Sequence, residues 1–278
     1  MREWVPRVYA DAGYDYTKKF EAGFCAKYNG LMLRAGDTVE KIFCSAFAAP
    51  DVLQRILDTN TNDAMLFLHH PVDLEVCGAG FLPVPSDVIS EFERMRISIY
   101  SCHAPLDCHD KIGTNAAIVQ ALGMKVEKEF VRYGLGYAGR IGTMEVQDTD
   151  LLLKRIRGIF GVSRLEVGGC LKSAVARIAI VAGGGDEIGH LRQAYENSCD
   201  MYLTGEWYPR YTPQDEDVRL SVARLKEEIA SFTQNLKMVL VGVSHAASEY
   251  LVMKKQMIDY FDCKGIPAEA IPQENWWR

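Results

Sequence analysis

Residues 42–107 and 178–249 carry the same order of elements twice, and this repetition narrows the possible folds more than any other feature. In the first copy, residues 42–48 ("IFCSAFA") form an apolar, β-prone run. Pro50 and Asp51 follow, then a helical pattern through Val52, Ile56 and Leu57. Pro at the first helical turn and an apolar face at 3.6-residue spacing are helix signals. Residues 60–63 then turn the chain into "AMLFLHHP". In the second copy an apolar strand at 178–182 meets a turn, a helix and a turn closed by Asp200, and then "MYLTGE". Aligning Asp63 with Asp200 sets His69 opposite Glu206 in the comparison. A further strand follows in each copy and runs into a histidine with a carboxylate four residues on: His103 with Asp107, and His245 with Glu249. Two matching units in one order point to an internal duplication.

Alternating strands and helices imply α/β architecture, here two related α/β domains with mostly parallel sheets flanked by helices. The reading divides the chain into a first half at 1–125, a second half at 126–235, and a C-terminal strand-helix segment at 236–278 that completes the site. Between the copies, "YGLGYAGRIG" is Gly-rich and reads as turn, residues 149–159 read as a helix, and "SRLEVGG" reads as a strand ending at glycines. Residues 209–219 read as a polar loop before a helix over 220–230.

A chain of 278 residues, 48% hydrophobic and 24% charged, has the composition of a soluble globular protein. Its net charge of −6, with no basic run, argues against binding nucleic acid through phosphate neutralisation. The opening "MREWVPRVYADAG" lacks the apolar core and cleavage site of a secretory signal, and no apolar stretch approaches ~18 residues. The eight cysteines include no CxxC pair and read as reduced thiols. The expectation is a cytoplasmic protein with neither a nucleic-acid nor a membrane partner.

Five of the six histidines fall in three clusters: His69/His70, His103/His109 and His245. Each lies where an apolar strand run ends, and α/β sheets build their sites at the carboxyl ends of strands. On a helical turn, residues i and i+4 share a face, so His245 and Glu249 could address one point. Imidazole with carboxylate is a ligand set for Zn, Mn, Fe, Co or Ni. Neighbouring side chains of a strand face opposite ways, so His69 and His70 are expected to diverge. Any one of these residues alone reads more simply as a hydrogen-bonded or surface side chain; the convergence of three clusters carries the metal reading. Two weaker features stand beside it. Gly183, Gly184 and Gly185 join a strand to a helix, either as an anion-binding turn or as a plain flexible one. Glu206 reads as a base, an acceptor behind a ligand, or a strand cap.

The segments "LFLHHP", "SIYSCHAPLDCHDKIGTNAAIVQALGM", "VAGGGDEIGHLRQAYENSCDMYLTGEW" and "VSHAASEYL" resemble the four signature blocks of the NGG-interacting-factor family, whose members are often named GTP cyclohydrolase I type 2 homologues. They come in the family's order, from about residue 29 to 250. The resemblance implies two divalent metal ions in an interdomain cleft, and a ring-shaped homohexamer. It implies His69, His70, Asp107, His245 and Glu249 as ligands, one histidine of the pair to each ion and Glu249 bridging. His103 would then be a partner behind a ligand, a proton shuttle, or a core residue. The chain departs from the pattern where Ser244 and Ala246 flank His245, in place of Gly-His-Tyr. It departs again at Trp207–Arg210, where the family carries a histidine.

Three functions follow. The leading one is a metal-dependent hydrolase of a small phosphate- or nucleotide-like substrate, with GTP cyclohydrolase I type 2-like activity as the form the resemblance implies. The second is a non-catalytic metal-binding regulatory or interaction protein, and the third a chaperone-like or metal-storage assembly. Open coordination positions favour chemistry, because structural zinc sites are closed by four protein ligands.

Overall fold

The first strand, β1 (Asn29–Leu33), is followed by β2 (Lys41–Phe47), whose side chains are buried from Ile42 onward. Helix α1 (Pro50–Asp58) starts on its proline and buries Val52, Leu53 and Ile56, the stripe that the sequence pattern requires. Strand β3 (Ala64–His70) ends at the histidine pair, and Pro71, lacking an N–H, halts the ladder there. Helix α2 (Ser86–Met95) buries Ile89, Phe92 and Met95. It closes on Arg96 in the left-handed conformation (φ 56°), where the guanidinium pairs with Asp63. Strand β4 (Ile97–Cys102) follows. These coordinates come from a computed structural model that describes residues 28–73, 82–209 and 216–277. The N-terminal stretch read for a signal, Cys25, Cys77 and most of the 209–219 loop lie outside the described residues.

The chain continues through α3 (Ala104–Cys108) and α4 (Thr114–Leu122) into the hairpin β5 (Lys125–Tyr133) and β6 (Gly136–Asp148). Helix α5 (Thr149–Phe160) is capped by Asp148, whose carboxylate accepts the Leu151 N–H at 3.1 Å. Then come β7 (Glu166–Gly169), β8 (Ala174–Gly184), α6 (Ile188–Glu196), β9 (Met201–Glu206), α7 (Glu216–Thr233), β10 (Val239–Gly242) and α8 (His245–Val252). A π-helical turn (Met253–Met257), α9 (Ile258–Asp262) and β11 (Ala268–Ala270) end the described chain.

Two compact units result. One uses the chain up to Leu106 and again from Val252 to Trp276; the other runs from Asp107 to Leu251. This differs from the divisions at 125 and 235 read from sequence. The C-terminal strand β11 returns to pair with β2, Ala268 opposite Ile42, a pairing that local pattern does not encode. The first unit's sheet has the order β1-β4-β3-β2-β11, parallel throughout except for β1. The second unit's sheet, β5-β6-β8-β9-β10-β7, is mixed, with β8-β9-β10 parallel and the other pairs antiparallel. "Mostly parallel" therefore holds for the first sheet and not for the second. The antiparallel pair β5–β6 occupies the segment read as turn. Its glycines at 136, 139 and 142 hide the strand alternation, and only Gly134 and Leu135 make the reversal.

Each sheet nevertheless contains one four-strand pattern. Three parallel strands lie adjacent in chain order, and an antiparallel strand from upstream pairs with the third: β1 on β4, and β7 on β10. The registers also correspond. Ala64 is paired with Ile97, and Met201 with Val239. Counting from these pairs, His69 takes the position of Glu206, His103 that of His245, and Asp107 that of Glu249. Among the described residues, no disulfide is formed and no helix is long and apolar enough to cross a membrane.

Candidate metal centre

In the first unit the parallel ladder delivers three histidines to one place. His69 and His70 end β3, His103 follows β4, and all three are buried. Every pair of their ring centroids is 4.6 Å apart, with His69 and His103 stacked and His70 edge-on to both. The neighbours fix them there. His69 Nδ1 lies 2.9 Å from the Cys102 carbonyl oxygen, which can only accept, so Nδ1 carries the proton. The Phe47 ring stacks on His70 at 4.2 Å, and the His103 N–H donates to Asn29 Oδ1 at 2.9 Å. One nitrogen from each of the three histidines lies within 4.8 Å of the others, a grouping that could hold a metal ion.

In the second unit, α8 presents His245 and Glu249 one turn apart, as the i,i+4 spacing predicts. His245 Nε2 is 3.1 Å from Glu249 Oε1, the separation of two ligands on a single ion. On its other side Nδ1 lies 3.4 Å from Glu206 Oε2, the carboxylate–imidazole contact that orients metal-bound histidines. Burial disfavours a charged His245, but the Glu249 charge and hydrogen bonds to Glu206 and Glu249 outweigh it and hold the imidazole's pKa well above its usual value. Asp107, at the start of this unit, is buried and accepts the Thr114 hydroxyl at 2.9 Å. Asn115 secures the same helix start, donating to the Asp107 carbonyl and accepting the Ala182 N–H at 2.8 Å.

Close packing at two glycines sets the position of α8. Gly183 has φ +73°, and a Cβ there would lie 2.3 Å from Glu249 Oε1. A Cβ on Gly205 would lie 2.8 Å from His245 Cα and from Ser248 Oγ. Ser248 links the two, accepting the Gly183 N–H at 2.8 Å and donating to the His245 carbonyl at 2.7 Å. Ser244, one of the departures from the family pattern, has φ +85°, a conformation that favours glycine. Its hydroxyl accepts the Ala247 N–H at 3.3 Å, so the serine exchanges backbone ease for a helix cap. At the other departure, Trp207 donates to the Glu166 carbonyl at 2.9 Å and lies over Gly168 on β7.

The three-glycine turn does not offer an anion site. The Gly183 and Gly185 amides already donate to Ser248 and to the Glu206 carbonyl, and Gly184 is part of the β8 ladder. The acidic group Asp186, Glu206 and Glu249 favours a cation here. Sequence reasoning missed Asp186, because its role depends on neighbours that only the fold supplies. Burial, and then the Glu206 charge, raise its pKa to about 6. Its carboxyl carbon should therefore titrate near pH 6 by NMR, and Glu206→Gln should lower that midpoint. A wild-type midpoint at the ordinary aspartate value would refute the assignment. His109 has no place in the metal grouping, since its Nδ1 accepts the Lys111 and Ile112 amides at 3.1 Å in an exposed turn.

Comparison with known proteins gives a consistent result. A curated protein of Buchnera aphidicola named GTP cyclohydrolase 1 type 2 homolog is 26% identical over 187 residues, 64% of this chain and 69% of that protein. Among solved structures, the structural-genomics protein ybgI, described as of unknown function, superposes with a TM-score of 0.65 at 19% identity, over 98% of this chain and 95% of its own. TTHA1606 from Thermus thermophilus superposes with a TM-score of 0.62 at 18% identity, over 98% of both chains. At such identities these two likenesses establish the fold. The profile of one family matches residues 25–265, most of the chain. The chain belongs to the Duf34/NIF3 (NGG1p interacting factor 3) family.

Proposed function

We propose that this protein binds two divalent metal ions and uses them to hydrolyse a small phosphate- or nucleotide-like molecule. The observation that carries the reading is the buried trio His69, His70 and His103, whose nitrogens converge at the carboxyl end of a parallel sheet. The His245–Glu249 pair at 3.1 Å supports it from the other unit. The proposed ligands are His69, His70, Asp107, His245 and Glu249, of which Thr114 orients Asp107 and Glu206 orients His245. Bound divalent ions would supply Lewis-acid activation of water and of the substrate's electrophilic centre. The chain's own contribution is to hold these groups rigidly, to accept a proton at Glu206, and to place His103 as a further proton-handling imidazole. A relative's name, GTP cyclohydrolase 1 type 2 homolog, suggests a nucleotide as the first substrate to try. The same family likeness extends the proposal to a homohexamer in the cytoplasm.

The test is metal analysis after incubation with Zn, Mn, Fe, Co and Ni, followed by a phosphatase, phosphodiesterase and GTP-hydrolysis screen with each ion. About two ions per chain and turnover abolished by Asp107→Ala are expected. A chain that takes up no ion overturns the proposal. Full metal loading with silence across the screen assigns the protein instead to the regulatory, non-catalytic reading.

A further inference from the structure

We propose that the Tyr28 hydroxyl donates a hydrogen bond to an anionic oxygen of the molecule bound at the metal centre, a phosphate-like group above all. This rests on the metal-binding reading above and adds to it a group that recognises substrate rather than metal.

The strand ladder explains its position. β1 pairs antiparallel with β4, Asn29 opposite Cys102, so Tyr28 stands one step beyond that pair, across from His103. Its ring lies 5.4 Å from that of His103 and 6.0 Å, edge-on, from that of His70. Asn29 secures the placement, because its side-chain oxygen accepts the His103 N–H at 2.9 Å. The ladder thus delivers a phenol to the end of the sheet where the candidate ligand His70 sits.

Two features of Tyr28 work against stability. The residue is only 4% exposed, and its buried hydroxyl has no hydrogen-bond partner among the described residues. A buried donor left without an acceptor is destabilising, and phenylalanine would make the same ring contacts without it. The second feature is the backbone, which is left-handed at φ 58°. Asn60 and Asp63 share that conformation with short polar side chains that suit it, whereas a bulky aromatic does not. Such costs persist where a site needs the group they hold. A phenol is neutral at physiological pH and carries one O–H donor. An anionic oxygen is the acceptor that makes its strongest bond, which points to a phosphate-like ligand over a cationic or apolar one.

The test uses the full-length chain loaded with Zn(II), freed of excess ion, and inorganic phosphate as the probe. Tyr28→Phe should keep the metal content of the wild type. Without metal it should unfold in urea at the wild-type midpoint or above, since no hydrogen bond is lost. Its calorimetric affinity for phosphate should fall about tenfold when loaded. A hydroxyl with a structural role would give the reverse pattern, a lower midpoint with phosphate affinity unchanged. A Tyr28→Phe chain that unfolds earlier or fails to fold overturns the proposal, and so does unchanged phosphate affinity at full metal loading. Loaded wild-type protein that binds no phosphate overturns it as well. Each of these results leaves the metal-binding reading in place, whereas a wild-type chain that takes up no ion overturns both.

Discussion

Gly205→Ala is expected to destabilise the protein by about 3 kcal/mol and to impair metal uptake together with the fold. The added methyl would sit 2.5 Å from the Gly183 carbonyl oxygen and 2.8 Å from His245 Cα. Both are backbone atoms, so no side-chain rotation relieves the overlap and the start of α8 must move. His245 moves with it, and the 3.1 Å spacing to Glu249 depends on that helix. Urea denaturation gives the stability loss, and cobalt titration of the folded fraction gives the change in affinity. Gly189→Ala is the control: nothing lies within 4 Å of a Cβ there, and a helical alanine in its place should be neutral or mildly stabilising. Equal destabilisation by both substitutions would refute the packing argument.

The second large effect is expected at Arg140. Its side chain is 4% exposed, yet it donates to the carbonyls of Tyr137 (2.7 Å), Gly139 (3.0 Å) and Cys108 (3.1 Å), and to Asp110 (2.9 Å). Cys108 follows Asp107 directly, so the guanidinium fastens the candidate ligand's segment to β6. Arg140→Ala leaves several carbonyls without this donor and should cost about 3 kcal/mol. Arg140→Lys should recover only part of that, since one ammonium cannot reproduce a planar fork reaching several acceptors. Chemical denaturation measures both. Hydrogen exchange should show residues 107–111 losing protection beyond the global change, and uniform loss would argue against a local clamp.

The sequence made some parts of this protein legible and concealed others for identifiable reasons. Val52, Ile56 and the proline before them announce α1, and the apolar run of β3 announces a strand that stops at Pro71. His103 and His245 each follow a parallel strand by the same count from a paired position, which residue counting along the sequence makes visible. Concealed were features that depend on distant partners. β11 pairs with β2 across most of the chain length, and β7 joins β10 from far upstream. Asp186 has its acidity weakened by burial and by Glu206 at the end of β9.

The equal register of the two ladders has a consequence for how this protein can vary. Each ladder acts as a ruler, placing His103 or His245 six residues past a paired position. Inserting or deleting one residue within either interval would shift the histidine by one position relative to the end of its strand and so displace it from its present neighbours, however well the remainder folded. These short intervals should therefore tolerate exchange of one apolar residue for another, but no change in length. Loops at the opposite ends of the same strands are not bound by that count.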